Sequence, residues 1–319
     1  MQISFGTGGN SNSFKKLKFP ADLAEYLKAL NLNAYEIECG HGINISTATY
    51  QQLPTIVREN NIILSIHSPY YISLSSIKEE IRTKSIDYIL QTAYAADKLG
   101  AKKVVIHSGS CGKLERSEAL EIAANTLRCA RYELNKNNLE HIILCPETMG
   151  KINQLGTVEE VLTLCKIDEK IFPCIDFGHL HARTHGGLAD EKSFKDIFDA
   201  IEKELGEYRL CNMHIHFSKI EYTDGGEKAH RTFADNNFGP DYKPLIKQIL
   251  QRNLSPSIIC ESAGTQAEDA SEMAKYYRQL KFEQKNTRAS RCPGSFYPRL
   301  FLPLSGADMA LVIIAENQI

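Results

Sequence analysis

Short apolar runs recur along this chain, separated by longer amphipathic segments. Eight of the runs (ISFGT, AYEIE, IILSIH, KVVIH, IILCPE, FPCID, CNMHIHF and SIICES) have strand length and are bounded by polar or turn-forming residues. Between them, segments such as ADLAEYLKAL, SIKEEIRTKSIDYILQTAYAADKLG and RSEALEIAANTLRCARYELNKNN repeat apolar positions at helical spacing and often end at Gly or Asn. The alternation completes eight β/α pairs near Leu280. It predicts a single-domain α/β protein, a (β/α)8 TIM barrel spanning residues 1–280. An open doubly wound sheet is the weaker alternative, because GTGGN at positions 6–10 lacks the glycine spacing of a dinucleotide-binding turn.

From Lys281 the β/α texture stops, so residues 281–319 are expected to form an irregular C-terminal extension. Six basic residues against one acidic lie between Arg278 and Arg299, a balance that can touch phosphate but that first suggests an ill-packed tail. No catalytic role is expected there.

The remaining bulk properties narrow the functional classes. A length of 319 residues with 43% hydrophobic content supports a large core, and a formal net charge of −2 argues against a generally basic nucleic-acid coat. A polyanionic partner must therefore be held locally. The nine cysteines sit mostly inside apolar runs, as at Cys145, Cys174 and Cys260, and form no CxxC pair, so they read as reduced core thiols and not as a structural zinc site. The opening MQISFGTGG is no secretory leader, and no apolar stretch reaches about 18 residues. These features predict a soluble cytoplasmic protein without a membrane partner.

The chemistry is concentrated at the ends of the apolar runs. His67, His107, Glu147, Asp176, His214 and Glu261 each stand at or near the carboxyl end of a different predicted strand, which is the face where such barrels carry their sites. Imidazole and carboxylate donors without thiolates suit zinc, with manganese the other option, and a carboxylate such as Glu147 can bridge two ions. A lone histidine at a strand end is usually a satisfied polar residue; six donors at six strand ends resist that explanation. Asp176-Phe-Gly-His179 supplies another donor one turn later. In His214-Ile-His216 the two imidazoles share a strand face; His214 is favoured as ligand and His216 is expected to support it or face substrate. Glu227 and His230, in a polar loop, are candidates to complete a third site with His179. His41, His141, His181 and His185 have no comparable support.

These motifs resemble the endonuclease IV family, trinuclear-zinc apurinic/apyrimidinic endonucleases on a TIM barrel within the xylose-isomerase-like superfamily. The segments that carry the resemblance are HSPYYISL from His67, IHSGS around His107, PETMGKINQLGT around Glu147, DFGH from Asp176, HIHFSK from His214 and CES around Glu261. The resemblance implies His67, His107 and Glu147 as ligands of one zinc, Glu147 bridging to a second zinc held by Asp176, His214 and Glu261, and His179 opening a third site. It also implies a reaction, hydrolysis of the DNA phosphodiester 5′ to an abasic site in base excision repair. Glu261 would orient and deprotonate the attacking water and Glu147 would bridge the metals. Double-stranded DNA carrying an abasic site is the implied partner, and Tyr70 and Tyr71 match the family's DNA-penetrating loop.

Two departures stand out. The family closes its third site with Asp-x-His, whereas this chain has Glu227-Lys-Ala-His230. Where the family inserts a basic loop after the second strand, this chain has CGHGINIS. Lys15, Lys16 and Lys18 are candidate phosphate contacts, though an ordinary solvated charge run explains them better. The competing functions are a divalent-metal sugar isomerase or epimerase on the related barrel, and a catalytically silent nucleic-acid-binding protein.

Overall fold

The computed structural model describes residues 3–290. Eight strands form one parallel sheet: β1 (Ser4–Gly8), β2 (Ala34–Glu38), β3 (Ile63–His67), β4 (Lys103–Ile106), β5 (Ile143–Pro146), β6 (Cys174–Asp176), β7 (His214–Phe217) and β10 (Ser257–Cys260). Their order is β5-β4-β3-β2-β1-β10-β7-β6. Parallel bridges Leu144↔Ile171 and Glu147↔Cys174 join β5 to β6, with Phe172 N–H donating to the Leu144 carbonyl at 2.9 Å. The sheet thus curls into the nearly closed barrel that the eight apolar runs predict.

Helices α1 (Leu23–Ala29), α2 (Thr47–Glu59), α3 (Glu79–Leu99), α4 (Arg116–Lys136), α5 (Val158–Cys165), α6 (Phe177–Arg183), α7 (Glu191–Cys211), α8 (Lys243–Gln251) and α9 (Gln266–Ser290) follow the strands. The short α6 is buried nearly all round, whereas the long helices each bury one stripe. In α3 that stripe is Ile89, Ala93, Ala96 and Leu99, at helical spacing, and the alanines let the helix lie close to the sheet. Truncating Ile89 to Ala would cost about 2–5 kcal/mol, the usual range for an aliphatic side chain with no room to collapse. A hairpin of β8 (Lys219–Thr223) and β9 (Gly226–Arg231) is inserted after β7 on the same rim as the site.

The barrel interior decides where the chemistry sits. Period-two alternation together with the strand registers sends one residue of each strand, or just past it, inward at the carboxyl rim: Gly8, Glu38, His67, His107, Glu147, Asp176, His216 and Glu261. Two residues earlier on each strand, and on the same face, lie Gly6, Glu36, Ser65, Val105, Cys145, Cys174, His214 and Ile259. Gly6 is required there, since a Cβ would stand 2.2 Å from the Ala34 carbonyl oxygen.

The compact barrel unit runs to Lys281. Of the expected 281–319 extension, only the end of α9, to Ser290, is described; residues 291–319 lie outside the described residues. Among the described residues the cysteines are free, and no helix is long and apolar enough to cross a membrane.

Candidate metal centre

A cavity of about 530 Å³ opens at the carboxyl rim, lined by His67, His107, Glu147, His179, Glu227, His230 and Glu261 together with Glu38, Tyr70 and Lys151. Three groups of donor atoms built on the strand-end residues and the β8–β9 hairpin lie at or just beneath it, beside two further groups among the described residues, Cys174 with His214 and His216 and Glu36 with Glu38 and Glu261. His67, His107 and Glu147 form the first, Glu147, Asp176, His216 and Glu261 the second, and His179, Glu227 and His230 the third; within each group all donor atoms lie within 4.8 Å of one another. Glu147 belongs to two of them. Its Oε2 lies 3.2 Å from His107 Nε2 and 3.4 Å from His67 Nε2, while its Oε1 lies 3.0 Å from His216 Nδ1.

The local structure that delivers each donor is simple. Asp176 ends β6 and also caps α6, its Oδ1 accepting the His179 N–H at 2.6 Å, so DFGH places an acid and an imidazole one helical turn apart. The ring of His179 then turns its Nδ1 to the Thr148 carbonyl at 3.0 Å, and His67 turns its Nδ1 to the Ser68 carbonyl at 2.8 Å. His230 Nδ1 meets Ser218 Oγ at 2.9 Å. In all three rings Nε2 is left facing the cavity, the arrangement by which second partners orient ligating imidazoles.

One expectation is corrected. The sequence favours His214 over His216, but the β6–β7 register pairs Asp176 with His216 and Cys174 with His214. His214 therefore lies one pleat below the rim, its Nε2 2.9 Å from Glu36 Oε2. His216 takes the place beside Glu147 and Glu261, 3.4 Å from Glu261 Oε1.

Glu227 and His230 do join His179, with His179 Nε2 3.4 Å and His230 Nε2 3.9 Å from the Glu227 carboxylate. Residues three apart on a strand would normally face opposite ways. Here β9 pairs Ala229 with Glu221 and Glu227 with Tyr222, leaving Lys228 as an extra, bulged residue that restores the shared face.

Two carboxylates escaped the sequence reading, Glu36 and Glu38 of β2. Glu36 is fully buried between His214 and His216, and Glu38 reaches the cavity. The available signal was two acids at period two in the apolar run AYEIE.

The donor sets fit a metal such as zinc. Tetrahedral zinc with bonds of about 2.0–2.1 Å has donor-to-donor edges of roughly 3.3–3.4 Å. Most of the separations above fall at or near that length. Electrostatics agrees. Burial works to depress His67, yet Glu147 and the β2 acids outweigh it and push the imidazole up to about 10. His179 and His216 are raised well above the ordinary imidazole value against the same burial, by Asp176 and Glu147 for the former and by Cys174, Glu261, Glu36 and Glu147 for the latter. Burial tends to raise Glu147, but the imidazoles, His216 foremost, hold its carboxyl well below the usual range. Burial pushes Glu261 well above that range, with Glu147 and Asp176 adding to the rise against His216. Protons on imidazoles thus offset crowded carboxylates, a task that divalent cations perform when they displace those protons.

Tyr70 covers the first group, its ring stacked on His107 at 5.4 Å and edge-on to His67 at 5.5 Å. The CGHGINIS segment supports it: Tyr70 N–H donates to the Gly40 carbonyl at 3.1 Å, and a Cβ on Gly40 would meet the ring at 2.4 Å. Tyr71 lies outside the cavity, packed against Tyr88 at 5.6 Å. Lys15, Lys16 and Lys18 are exposed.

Residues 24–280 match the family model of the xylose isomerase-like TIM barrel. The chain belongs to this family. An uncharacterized protein of Methanocaldococcus jannaschii is 34% identical over 280 residues, covering 88% of this chain and 98% of that one. A probable endonuclease 4 of Mycoplasma pneumoniae is 26% identical over 209 residues, covering 61% of this chain and 70% of its own. Two solved structures share the fold. A D-tagatose 3-epimerase-like protein superposes with a TM-score of 0.65 at 19% identity, covering 89% of this chain and 100% of that chain. Endonuclease IV of Thermus thermophilus superposes with a TM-score of 0.62 at 19% identity, covering 88% of this chain and 99% of that chain.

Proposed function

We propose that this chain is a zinc-dependent apurinic/apyrimidinic endonuclease that hydrolyses the DNA phosphodiester 5′ to an abasic site. The observation that carries the reading is the presence of three donor groups around one cavity, the first two sharing Glu147 and the third formed by His179, Glu227 and His230. The first group is His67, His107 and Glu147; the second is Glu147, Asp176, His216 and Glu261. The names of the endonuclease 4 relatives support the same class, and an epimerase needs neither so many imidazoles nor a third group.

Zinc held by these residues supplies Lewis acidity toward phosphate oxygens and makes water acidic near neutral pH. Glu261 has a side chain 17% exposed, against 1% for Glu147, and so reaches the cavity from its wall. It orients the attacking water and accepts its proton. Glu147 holds the first two groups at a fixed spacing, so that phosphate and water meet in one geometry. Tyr70, 53% exposed above His67 and His107, offers an aromatic face to the gap left by a flipped-out abasic nucleotide. Lys151, the one lysine or arginine among the described residues lining the cavity, would contact a substrate phosphate.

The test is zinc analysis of the purified protein combined with nicking of a duplex bearing one abasic site. Two to three zinc ions per chain and a single nick leaving a 3′-hydroxyl are expected. Full zinc occupancy without nicking, together with epimerisation of a ketose, would overturn the endonuclease in favour of the sugar-acting alternative. In the same assay Tyr70→Ala should weaken binding of the abasic duplex by about 1–3 kcal/mol, the worth of one aromatic stacking contact.

A further inference from the structure

We infer that Glu36 is a positioning residue that fixes which nitrogen of His216 faces the second donor group. The inference rests on reading His216 as a metal ligand, and it assigns a role to a residue one pleat beneath the cavity. Glu36 is fully buried, and its Oε1 lies 2.8 Å from His216 Nε2 while its Oε2 lies 2.9 Å from His214 Nε2. On the other edge of the same ring, His216 Nδ1 faces Glu147 at 3.0 Å and Glu261 at 3.4 Å. The ring is therefore held between a carboxylate below and the donor group above. It is oriented opposite to His67, His179 and His230, whose Nδ1 atoms meet a carbonyl or a hydroxyl and whose Nε2 atoms face the cavity.

Among the described residues the two imidazoles are the ion-pair contacts of Glu36, whose neighbours on the cavity side are the carboxylates Glu38 and Glu261. Neither Glu36 oxygen makes a hydrogen bond of full geometry there, so proximity to the two imidazole nitrogens is what ties it to them. Half-buried Lys103 donates instead to the carbonyls of Asn212 at 2.7 Å and Met213 at 3.2 Å. An ionised carboxylate without close partners is costly in a barrel interior, so its contacts with the two imidazoles have to offset that cost. A carboxylate on the far nitrogen fixes an imidazole's tautomer and ring orientation and raises its strength as a ligand, and losing such a partner typically weakens metal binding by about 10–100-fold. Without Glu36, His216 can present either nitrogen upward.

The experiment is zinc titration of wild type, Glu36→Gln and Glu36→Ala, using the full chain, with circular dichroism to check folding. One zinc equivalent should bind about tenfold more weakly in Glu36→Gln and up to about 100-fold more weakly in Glu36→Ala. The other equivalents should keep wild-type affinity. Should Glu36→Ala not fold, the neutral and nearly isosteric Gln variant carries the comparison. The wild type gives an independent readout: nitrogen NMR of the zinc-loaded protein should show the His216 proton on Nε2. Wild-type affinity for every zinc in a folded variant, or a His216 proton on Nδ1, overturns the inference. A wild type that loads zinc yet leaves abasic DNA intact overturns the endonuclease reading and leaves this one standing.

Discussion

Glu227 and His230 face the same cavity although they lie three positions apart along β9, because Lys228 is bulged out of the β8–β9 ladder. The relationship makes a sharp prediction about length. Deleting Lys228 should restore a regular ladder with Glu227 and His230 two apart and still on one face. The third zinc equivalent should then bind within about tenfold of wild type. Inserting one alanine after Lys228 sets the two residues four apart, so that a regular ladder carries Glu227 about 7 Å further from His230 and a retained bulge turns the pair to opposite faces; either way that equivalent should be abolished. Zinc titration of the two variants checks it; equal losses in both would refute the bulge as the cause of the shared face.

His214 and His216 should separate by what they disturb. Replacing His216 with Ala removes a donor from the second group, so one zinc equivalent should be lost. Replacing His214 with Ala leaves every donor facing the cavity in place but strips a close partner from the buried Glu36. Burial pushes His214 down to about 4, so the imidazole is neutral, and leaving a buried carboxylate short of such a partner costs about 1–3 kcal/mol. Urea unfolding should show that loss for His214→Ala, with the zinc count unchanged. A lowered zinc count in His214→Ala would return it to the ligand set.

That pair also marks how far the sequence could be read. The barrel and the strand-end donors were legible because β strands alternate with period two and because parallel barrels gather chemistry at one rim. Both His214 and His216 satisfy those rules equally. Only the pairing of β7 with β6, which sets Asp176 level with His216, tells them apart, and register between strands leaves no mark in one sequence. Glu36 and Glu38 were visible as paired acids in AYEIE but lacked a motif to attach to. The third group was readable as residue types alone, because the bulge at Lys228 breaks the spacing rule that would have linked Glu227 to His230.

Glu160 ties stability to pH away from the donor groups. It completes the capping box of α5 with Thr157, accepts the Gly156 N–H at 2.7 Å, and bonds Arg116 at 2.8 Å. Arg116 in turn holds the carbonyls of Ile152 and Gln154 in the loop that carries Lys151 and Gln154 to the cavity. Burial alone would raise the Glu160 carboxyl, but Arg116 and the backbone donors outweigh it and hold it below the ordinary value of 4.5. A folded-state pKa below the unfolded one means the stabilisation is fully present above about pH 4.5 and is lost as pH falls through the folded value. Glu160→Gln should therefore cost about 1.5–3 kcal/mol at pH 7, the range for hydrogen bonds to a charged group, and the gap to wild type should close as pH drops below 4.5. Denaturant midpoints across pH 3 to 7 (an experimental range of about four units) test this. A constant gap would deny the linkage.

Glu261 should show opposite effects with and without metal. Burial raises its carboxyl well above the usual range, and the nearby Glu147 and Asp176 carboxylates add to that, so in the metal-free protein it is a source of repulsion. Glu261→Gln removes the repulsion and keeps the shape. Metal-free Glu261→Gln should thus melt no lower than wild type, and each kcal/mol relieved should raise Tm by about 2–4 °C. Added zinc should raise Tm less in the variant than in wild type, because a ligand that binds only the folded state stabilises more the tighter it binds, and one carboxylate donor has been lost. Turnover of the abasic duplex should fall by about 10²–10⁴-fold, the usual worth of a positioned proton acceptor. Thermal melts in chelator and in zinc, run beside the nicking assay, separate the three effects. A metal-free variant several degrees less stable than wild type would refute the repulsion, and nicking within threefold of wild type (about 0.7 kcal/mol in the activation barrier) would remove Glu261 from the catalytic role.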